Sequence, residues 1–397
     1  MNNTKLFTTL RESGLAKVVP KSIKAWIRGL GVTAIYQSEW EESYRAILAR
    51  VEPSSLVTDC RVGIVYDWGL RHAYYEAACR ELGVPYTIVD VTTSDWVNKV
   101  LADDSAIFLF RPFVLSSFGR AVYEERAFFM ENNLKKNLFP RYEELWPYES
   151  KRRCANLLQL HNVPHPQTWV FFSREEARLF VQNARYPLVF KTDLGAEAYG
   201  VRIVGSPREG EAIVRQCFGK GIRSGPCDPR DRNYDQVLFQ EYLADVKEWR
   251  VIRIGDSYFA YEKGKKGDFH SGSKVVLYGT PPEGLLEFSR QALDKMGLNC
   301  VAADILVDPA QRFFVNEIQA YYGANETNGL YFENGQRIFL EDNQTIEMRI
   351  NGRAGRYFYS GGQWLFEEGD FSRNAGCNLR VKLAFQRLGK PLPGYRV

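Results

Sequence analysis

The chain has 397 residues, 45% hydrophobic and 25% charged, which is the balance of a globular protein long enough for two or three domains. A formal net charge of +4 is too small to argue for nucleic acid, and no apolar run reaches transmembrane length. The opening MNNTKLFTTLRESGLAKVV lacks the pattern of a signal peptide, and the seven cysteines (Cys60, Cys79, Cys154, Cys217, Cys227, Cys300, Cys377) form no C-x-x-C pair. Reduced thiols, mostly core filler, and a cytoplasmic location are therefore expected. Four histidines without ligand-like spacing argue against a zinc site.

Residues 1–58 are expected to be helical. Leu15, Val18, Val19, Ile23, Trp26, Ile27 and Leu30 recur near a 3.6-residue period, with Lys17, Lys21, Lys24 and Arg28 between them. An ordinary amphipathic helix with a basic solvated face is the commoner case; a helix lying on a membrane surface is the alternative. A second helix covers roughly 41–51 and stops before Pro53. Residues 61–112 then alternate. RVGIVYD is a strand, 72–82 a helix ending at Gly83, PYTIVDV a strand, 96–101 a helix and AIFLFRP a strand. Alternation of this kind implies a parallel sheet with right-handed crossovers. The first strand is not followed by G-x-G-x-x-G, so a dinucleotide site is not indicated. A helix rich in Glu and aromatic residues follows within 120–148, and Pro140 and Pro147 punctuate a linker.

Ser150 is placed to cap a helix opened by Lys151, and VPHPQTWVF is a turn running into a strand. After a helix at 173–182 comes YPLVFKTDLGAEAYGVRIV. Two strands, 186–191 and Val201–Val204, flank a loop holding Gly195, Ala196, Ala198 and Gly200, and Lys191 closes the first strand. Such a hairpin suits a flap over a polyphosphate, because small residues let backbone N–H groups approach phosphate oxygens and the ammonium adds a point charge. An ordinary hairpin with an exposed lysine is the alternative. A helix at 206–218 precedes a Gly-, Pro- and charge-rich segment to 236, read as a mobile lid or a surface insertion.

Residues 237–262 form a strand running into a hinge and a further strand, on which Arg250 and Arg253 lie three apart and face opposite sides, Arg250 inward. Residues 301–307 and Phe313–Gln319 are two apolar strands separated by the turn signal Asp308-Pro309. Asp304 lies inside the first; Glu317 and Gln319 share one face of the second, with Asn316 expected on the opposite face. Three oxygen-bearing side chains on adjacent strands fit a hard cation such as Mg²⁺, held by one or two carboxylates plus substrate phosphates. A solvent-facing polar edge is the alternative, disfavoured by the apolar surroundings.

A lysine flap followed about a hundred residues later by Asp and then Glu-x-Gln resembles the ATP-grasp ligases, over roughly residues 60–330. The resemblance implies a fold of the α/β and α+β classes: an N-terminal parallel α/β domain followed by two α+β lobes clasping ATP. The boundaries expected are 1–58 for the helical segment, 59–148 for the α/β domain, 149–240 for the small lobe with the flap, 241–340 for the large lobe with the metal site, and 341–397 for a C-terminal extension. It also implies nucleotide contacts from Lys151 and Lys191, adenine contacts from the backbone of Gln240, Glu241, Tyr242 and Leu243, and ribose binding by Glu248. A carboxylate suits a vicinal diol because it accepts both hydroxyl protons. Asp304, Glu317 and Gln319 become the metal ligands, for two Mg²⁺ ions with Mn²⁺ as a substitute. Glutamine stands where many relatives have asparagine.

Lys191, Arg250, Lys263 and His270 are the candidate catalytic residues. The family often has an arginine and an asparagine in the 263–279 loop; here His270, Ser271, Gly272 and Ser273 occupy that place, with Lys263, Lys265 and Lys274 to supply charge. Substrate contacts are expected at Tyr66-Asp67-Trp68 and at Arg111-Pro112, with a structural salt bridge the alternative for Arg111, and in the AYYGANETNG loop. Arginines and aromatics beyond 345 suggest either a dock for an acidic or sugar-bearing partner or a plain basic surface. The implied activity joins a small-molecule or saccharide carboxylate to an amine through an acyl phosphate, in the manner of proteins that modify bacterial surface polysaccharide or peptides. No nucleic-acid partner is expected, and a homodimer is allowed. An ATP-grasp kinase and a non-catalytic ATP-binding protein are the rival readings. On the main reading, Lys191→Ala and Asp304→Ala abolish turnover and leave the fold intact.

Overall fold

In the computed structural model the described residues are 32–55, 57–195, 198–224, 228, 230–322, 329–340, 346–395 and 397. The periodic segment before residue 32, Ala196 of the flap, Cys227 and residues 323–328 of the AYYGANETNG loop lie outside them. The chain divides into two compact units, one running to Tyr142 and including 225–232, the other made of Glu143–Ser224 and Asn233–Val397.

The first unit contains α1 (Val32–Leu48), β1 (Val62–Val65), α2 (Ala73–Leu82), β2 (Tyr86–Val89), α3 (Trp96–Ala102), β3 (Ile107–Leu109), α4 (Ser117–Asn132) and β4 (Leu138–Phe139). Its sheet has the order β2-β1-β3-β4 and is parallel throughout. The central strand, VGIV, is buried at all four positions, as expected where helices cover both faces. Helix α2 stops because Gly83 adopts a left-handed conformation (φ 66°) and its N–H returns to the Arg80 carbonyl. At the carboxyl end of β1, the buried Asp67 carboxylate accepts the N–H groups of Gly69 (3.0 Å) and Arg71 (3.1 Å), fixing the turn into α2. Arg111, after β3, is buried over the Tyr74 ring.

A short helix, α5 (Tyr142–Leu145), leads into the second unit. There follow α6 (Lys151–Leu160), β5 (Thr168–Phe171), α7 (Arg174–Asn183), β6 (Leu188–Lys191), β7 (Val201–Val204), α8 (Pro207–Cys217), β8 (Ile222–Arg223), β9 (Arg232–Asn233) and β10 (Val237–Glu241). Strands β5-β10-β6-β7 form an antiparallel sheet whose inner face, with Phe190 and Phe239 fully buried, packs on α7 and α8. The serines before α6, α7 and α8 each cap their helix: Ser150, Ser173 and Ser206 accept the N–H groups of Arg153, Glu176 and Glu209.

The remainder is one ten-stranded sheet. Its elements are β11 (Lys247–Ile254), β12 (Ser257–Lys263), β13 (Val275–Tyr278), β14 (Cys300–Val307), β15 (Phe313–Gln319), β16 (Leu330–Glu333), β17 (Gln336–Ile338), β18 (Arg349–Ile350), β19 (Arg353–Ser360) and β20 (Gln363–Glu368). Helices α9 (Leu285–Lys295) and α10 (Cys377–Arg387) complete the unit. The main path runs β15-β14-β11-β12-β13-β16-β17, and β14 is buried along its whole length.

Strands beyond 345 belong to this sheet, since β19 pairs with β12. Their cations are largely consumed internally, which corrects the expectation of a basic docking surface. Arg356 is buried, binds Glu367 at 2.7 Å and lies 4.2 Å from the Phe371 ring centroid; Arg380 is buried beneath Tyr321 and donates to the Ala320 carbonyl; Arg349 pairs with Glu333.

The flap depends on one glycine. Thr192 N–H bonds the Gly200 carbonyl, Gly200 has φ 78°, and a Cβ there would stand 2.2 Å from Thr192 Oγ1. Gly200→Ala is expected to cost about 1–3 kcal/mol of stability, from left-handed strain plus the collision with Thr192. Urea unfolding of the variant measures it, and an unchanged midpoint would show that the flap closes in some other way.

Candidate active site

Two lysines and an acidic strand pair meet inside the second unit. Lys191 ends β6, in register with Val201 of β7 and Leu238 of β10. Its ammonium donates to Asn316 Oδ1 at 2.8 Å. Lys151 is the first residue of α6; its Nζ donates to the Gly195 carbonyl at 2.6 Å and lies 3.6 Å from Glu317 Oε1. The two lysines are coupled through Asp193, two residues beyond Lys191. Its Oδ1 accepts from Ser150 Oγ (2.8 Å) and Arg152 N–H (2.9 Å), and its carbonyl accepts from Lys151 N–H (3.2 Å). A carboxylate there also complements the positive end of the helix dipole. The flap thus anchors the helix start that carries Lys151. Both lysines line one pocket with Ala155, His165, Gln240 and Asn316.

Asn316 corrects the strand reading. The β14–β15 register pairs Asp304 with Glu317 but Ile305 with Val315, so Asn316 is the extra residue of a β-bulge. Val315 and Ile318 both enter the same core cluster, three positions apart instead of two. The bulge therefore leaves Asn316 and Glu317 on the side of the lysines together, where strict alternation would have separated them.

Beside them lies a dense ion-pair network. Arg250 on β11 faces Asp304 and binds it in fork geometry, Nε to Oδ1 at 2.7 Å and Nη2 to Oδ2 at 2.9 Å. Arg253 turns to the other side and pairs with Asp294, so Arg250 is the member on the Asp304 side. Lys263 on β12 donates to Asp304 Oδ2 (2.9 Å), to Ser271 Oγ (2.8 Å) and to Glu248. Gln319 Oε1 lies 3.5 Å from Arg250 Nη2. Burial opposes ionisation of Asp304, but Arg250 and Lys263 outweigh it and hold the carboxyl well below the usual carboxylate range.

Two further site candidates are engaged elsewhere. His270 is buried with Nδ1 2.6 Å from the Lys263 carbonyl and Nε2 3.2 Å from the Val246 carbonyl, so both nitrogens meet backbone carbonyls. It clamps the loop after β12. Glu248 is buried and tied to Lys263 instead of standing open to a diol. In the hinge, Gln240 Nε2 donates to Thr168 Oγ1 (3.0 Å), Glu241 N–H donates to the Gln167 carbonyl (2.8 Å), and Tyr242 and Leu243 follow the end of β10.

The proposed metal donors fit a hard cation by chemistry: Asp304 stands directly opposite Glu317, and Gln319 Oε1 adds an amide oxygen. Among the described residues no group of three or more His, Cys, Asp or Glu is arranged to hold a metal, which is compatible with Mg²⁺ held by one or two carboxylates and substrate phosphates. Asp304 also neutralises two buried cations. Removing it takes the paired carboxylate from Arg250 and leaves Lys263 with Glu248, so Asp304→Ala is expected to cost up to about 3–5 kcal/mol of stability instead of being neutral to the fold. Among the described residues the six cysteines are buried and free, and no helix is long and apolar enough to cross a membrane.

Burial pushes the Lys191 ammonium down to about 8; Glu317 pulls it up and Lys151 pushes it further down. Lys151 goes the other way: burial opposes its charge, but Glu317, Glu149 and Asp193 raise it above the ordinary value. Below about pH 8 Lys191 is protonated folded and unfolded, so the cost of burying its charge is fully present. Between about 8 and 10.5 the unfolded chain binds more protons, so this group makes stability rise with pH. The stability difference between wild type and Lys191→Met should therefore move in favour of wild type across that window, read from urea melts at several pH values. A constant difference would contradict the assignment.

No family model matches the chain. The alpha-aminoadipate–LysW ligase LysX of Sulfurisphaera tokodaii is 22% identical over 272 residues, covering 65% of this chain and 88% of that protein. Among solved structures, the ADP complex of purK, an N5-carboxyaminoimidazole ribonucleotide synthetase, gives a TM-score of 0.50 at 13% identity, over 68% of this chain and 72% of that one. A RimK domain ATP-grasp protein from Sphaerobacter thermophilus gives 0.46 at 17% identity, over 65% and 90%. The likeness to the purK synthetase structure shows the ATP-grasp fold.

Proposed function

We propose that the protein activates a substrate carboxylate with ATP and joins it to an amine. The observation that carries this reading is the meeting of Lys151 and Lys191 with the Asp304–Glu317 strand pair beside one pocket. Lys151 and Lys191 line the pocket, and Arg250 and Lys263 stand in the adjoining network with Asp304, cations of the kind that meet a polyphosphate. A ligase name on the LysX relative and an ADP complex among the structural neighbours support the same reading.

The chemistry has two steps. A carboxylate oxygen of the acid attacks the γ-phosphorus of ATP, giving an acyl phosphate and ADP. The amine nitrogen then attacks the acyl carbon, phosphate leaves, and the nitrogen loses a proton as the amide forms. In-line transfer of this kind needs positioning and charge neutralisation more than a protein nucleophile. Lys191 and Lys151 hold the phosphates; Arg250 and Lys263 neutralise charge next to them; the hinge from Gln240 to Leu243 receives the base. Asp304, Glu317 and Gln319 would hold Mg²⁺, which when bound polarises phosphoryl oxygens. The acid is a small-molecule or saccharide carboxylate.

Purified protein with Mg·ATP and a panel of carboxylic acids and amines should release ADP and form an amide. Lys191→Met should lower that turnover at least about a hundredfold, with its far-UV spectrum unchanged. A phosphorylated product without an amide would favour a kinase. Absence of ADP release with every pair would favour a non-catalytic nucleotide-binding protein, and normal turnover in Lys191→Met would remove that lysine from the site.

A further inference from the structure

We propose that Asn316 is a positioning residue for Lys191, holding the ammonium so that its remaining N–H donors are presented to a phosphate. The inference rests on the nucleotide reading of the pocket and adds to it a residue outside the acid–lysine set. Asn316 Oδ1 accepts from Lys191 Nζ at 2.8 Å, and both side chains line the same pocket. An ammonium has three N–H donors, so one bond to the amide leaves two.

The side chain suits the task by its neutrality. A carboxylate at 316 would fix the ammonium equally well but cancel its charge and compete with phosphate. An apolar residue would leave a half-buried ammonium without this acceptor, at the cost of an unsatisfied polar group. The amide oxygen satisfies the geometry and leaves the full charge for an anion. The neighbouring carboxylate, Glu317, lies against Lys151 instead. Two consecutive residues of one bulge thereby serve two lysines differently, one neutral and one charged. Because Asn316 has no partner across β14, its position is set by the bulge and by the Val315 and Ile318 anchors on either side. Burial depresses the Lys191 pKa to about 8 although Glu317 pulls it up.

A double-mutant cycle tests the coupling. Binding of Mg·ADP is measured by calorimetry to wild type, Asn316→Ala, Lys191→Ala and the double variant, with thermal melts confirming that each folds. Loss of Asn316 should weaken binding about tenfold when Lys191 is present and less than twofold when it is absent. Asn316→Ser, a smaller change at the bulge, should show the same dependence on Lys191 and serves if the alanine variant fails to fold. Equal weakening in both backgrounds, or none in either, overturns the positioning role while leaving the nucleotide reading intact. Failure of wild type to bind Mg·ADP overturns both.

Discussion

A carboxylate inside a β-sheet stays ionised only if cations meet it there, and Asp304 is met by two. Arg250 and Lys263 come from the two strands beyond it in the sheet, so one ionised group fixes the relation of β11, β12 and β14. Across the strand on its other side stands Glu317, and from there the network continues to Lys151. The site is therefore a chain of compensated charges running from the large sheet to the flap. Each member is expensive to bury alone and tolerable only in company. That constraint explains why the same residues serve the fold and the proposed chemistry.

The flap side is built from weaker, local devices. Asp193 ties the loop after Lys191 to the start of α6, and Gly200 lets that loop close against Thr192. A helix terminus held by a side chain from the flap gives the two lysines a common anchor. The result is one cationic pair instead of two separately wandering long side chains, with less rotamer freedom left to lose when an anion arrives.

Much of this was legible in the residues. The strand-helix alternation of 61–112 gave the parallel sheet, because a buried central strand needs an unbroken apolar run and VGIV supplies it. Ser150, Ser173 and Ser206 announced three helix starts through their side-chain chemistry. Val201–Val204 could be bounded to the residue, since Gly200 and Gly205 flank it directly. Arg250 and Arg253 could be put on opposite sides of their strand from their spacing. Other features depend on contacts between segments distant in sequence. A bulge adds one residue to a strand without marking it, so Asn316 could not be placed on the lysine side by counting in twos. His270 looked free because the two carbonyls that hold it, at Lys263 and Val246, carry no side-chain signature. The basic residues beyond 345 looked like a surface because Glu333 and Glu367, which neutralise Arg349 and Arg356, do not announce their partners along the chain.

The claim at the centre is that a magnesium-bound nucleotide phosphate lies between the Lys151–Lys191 pair and the Asp304–Glu317 strands. A crystal structure of the protein grown with Mg·ADP tests it most directly. The account predicts diphosphate density within hydrogen-bond reach of both ammonium groups, and a metal at about 2.0–2.1 Å from an oxygen of Asp304 or Glu317. Nucleotide bound at another surface, with Arg250 and Lys263 still closing both oxygens of Asp304 and the lysine pocket filled only by water, would contradict it.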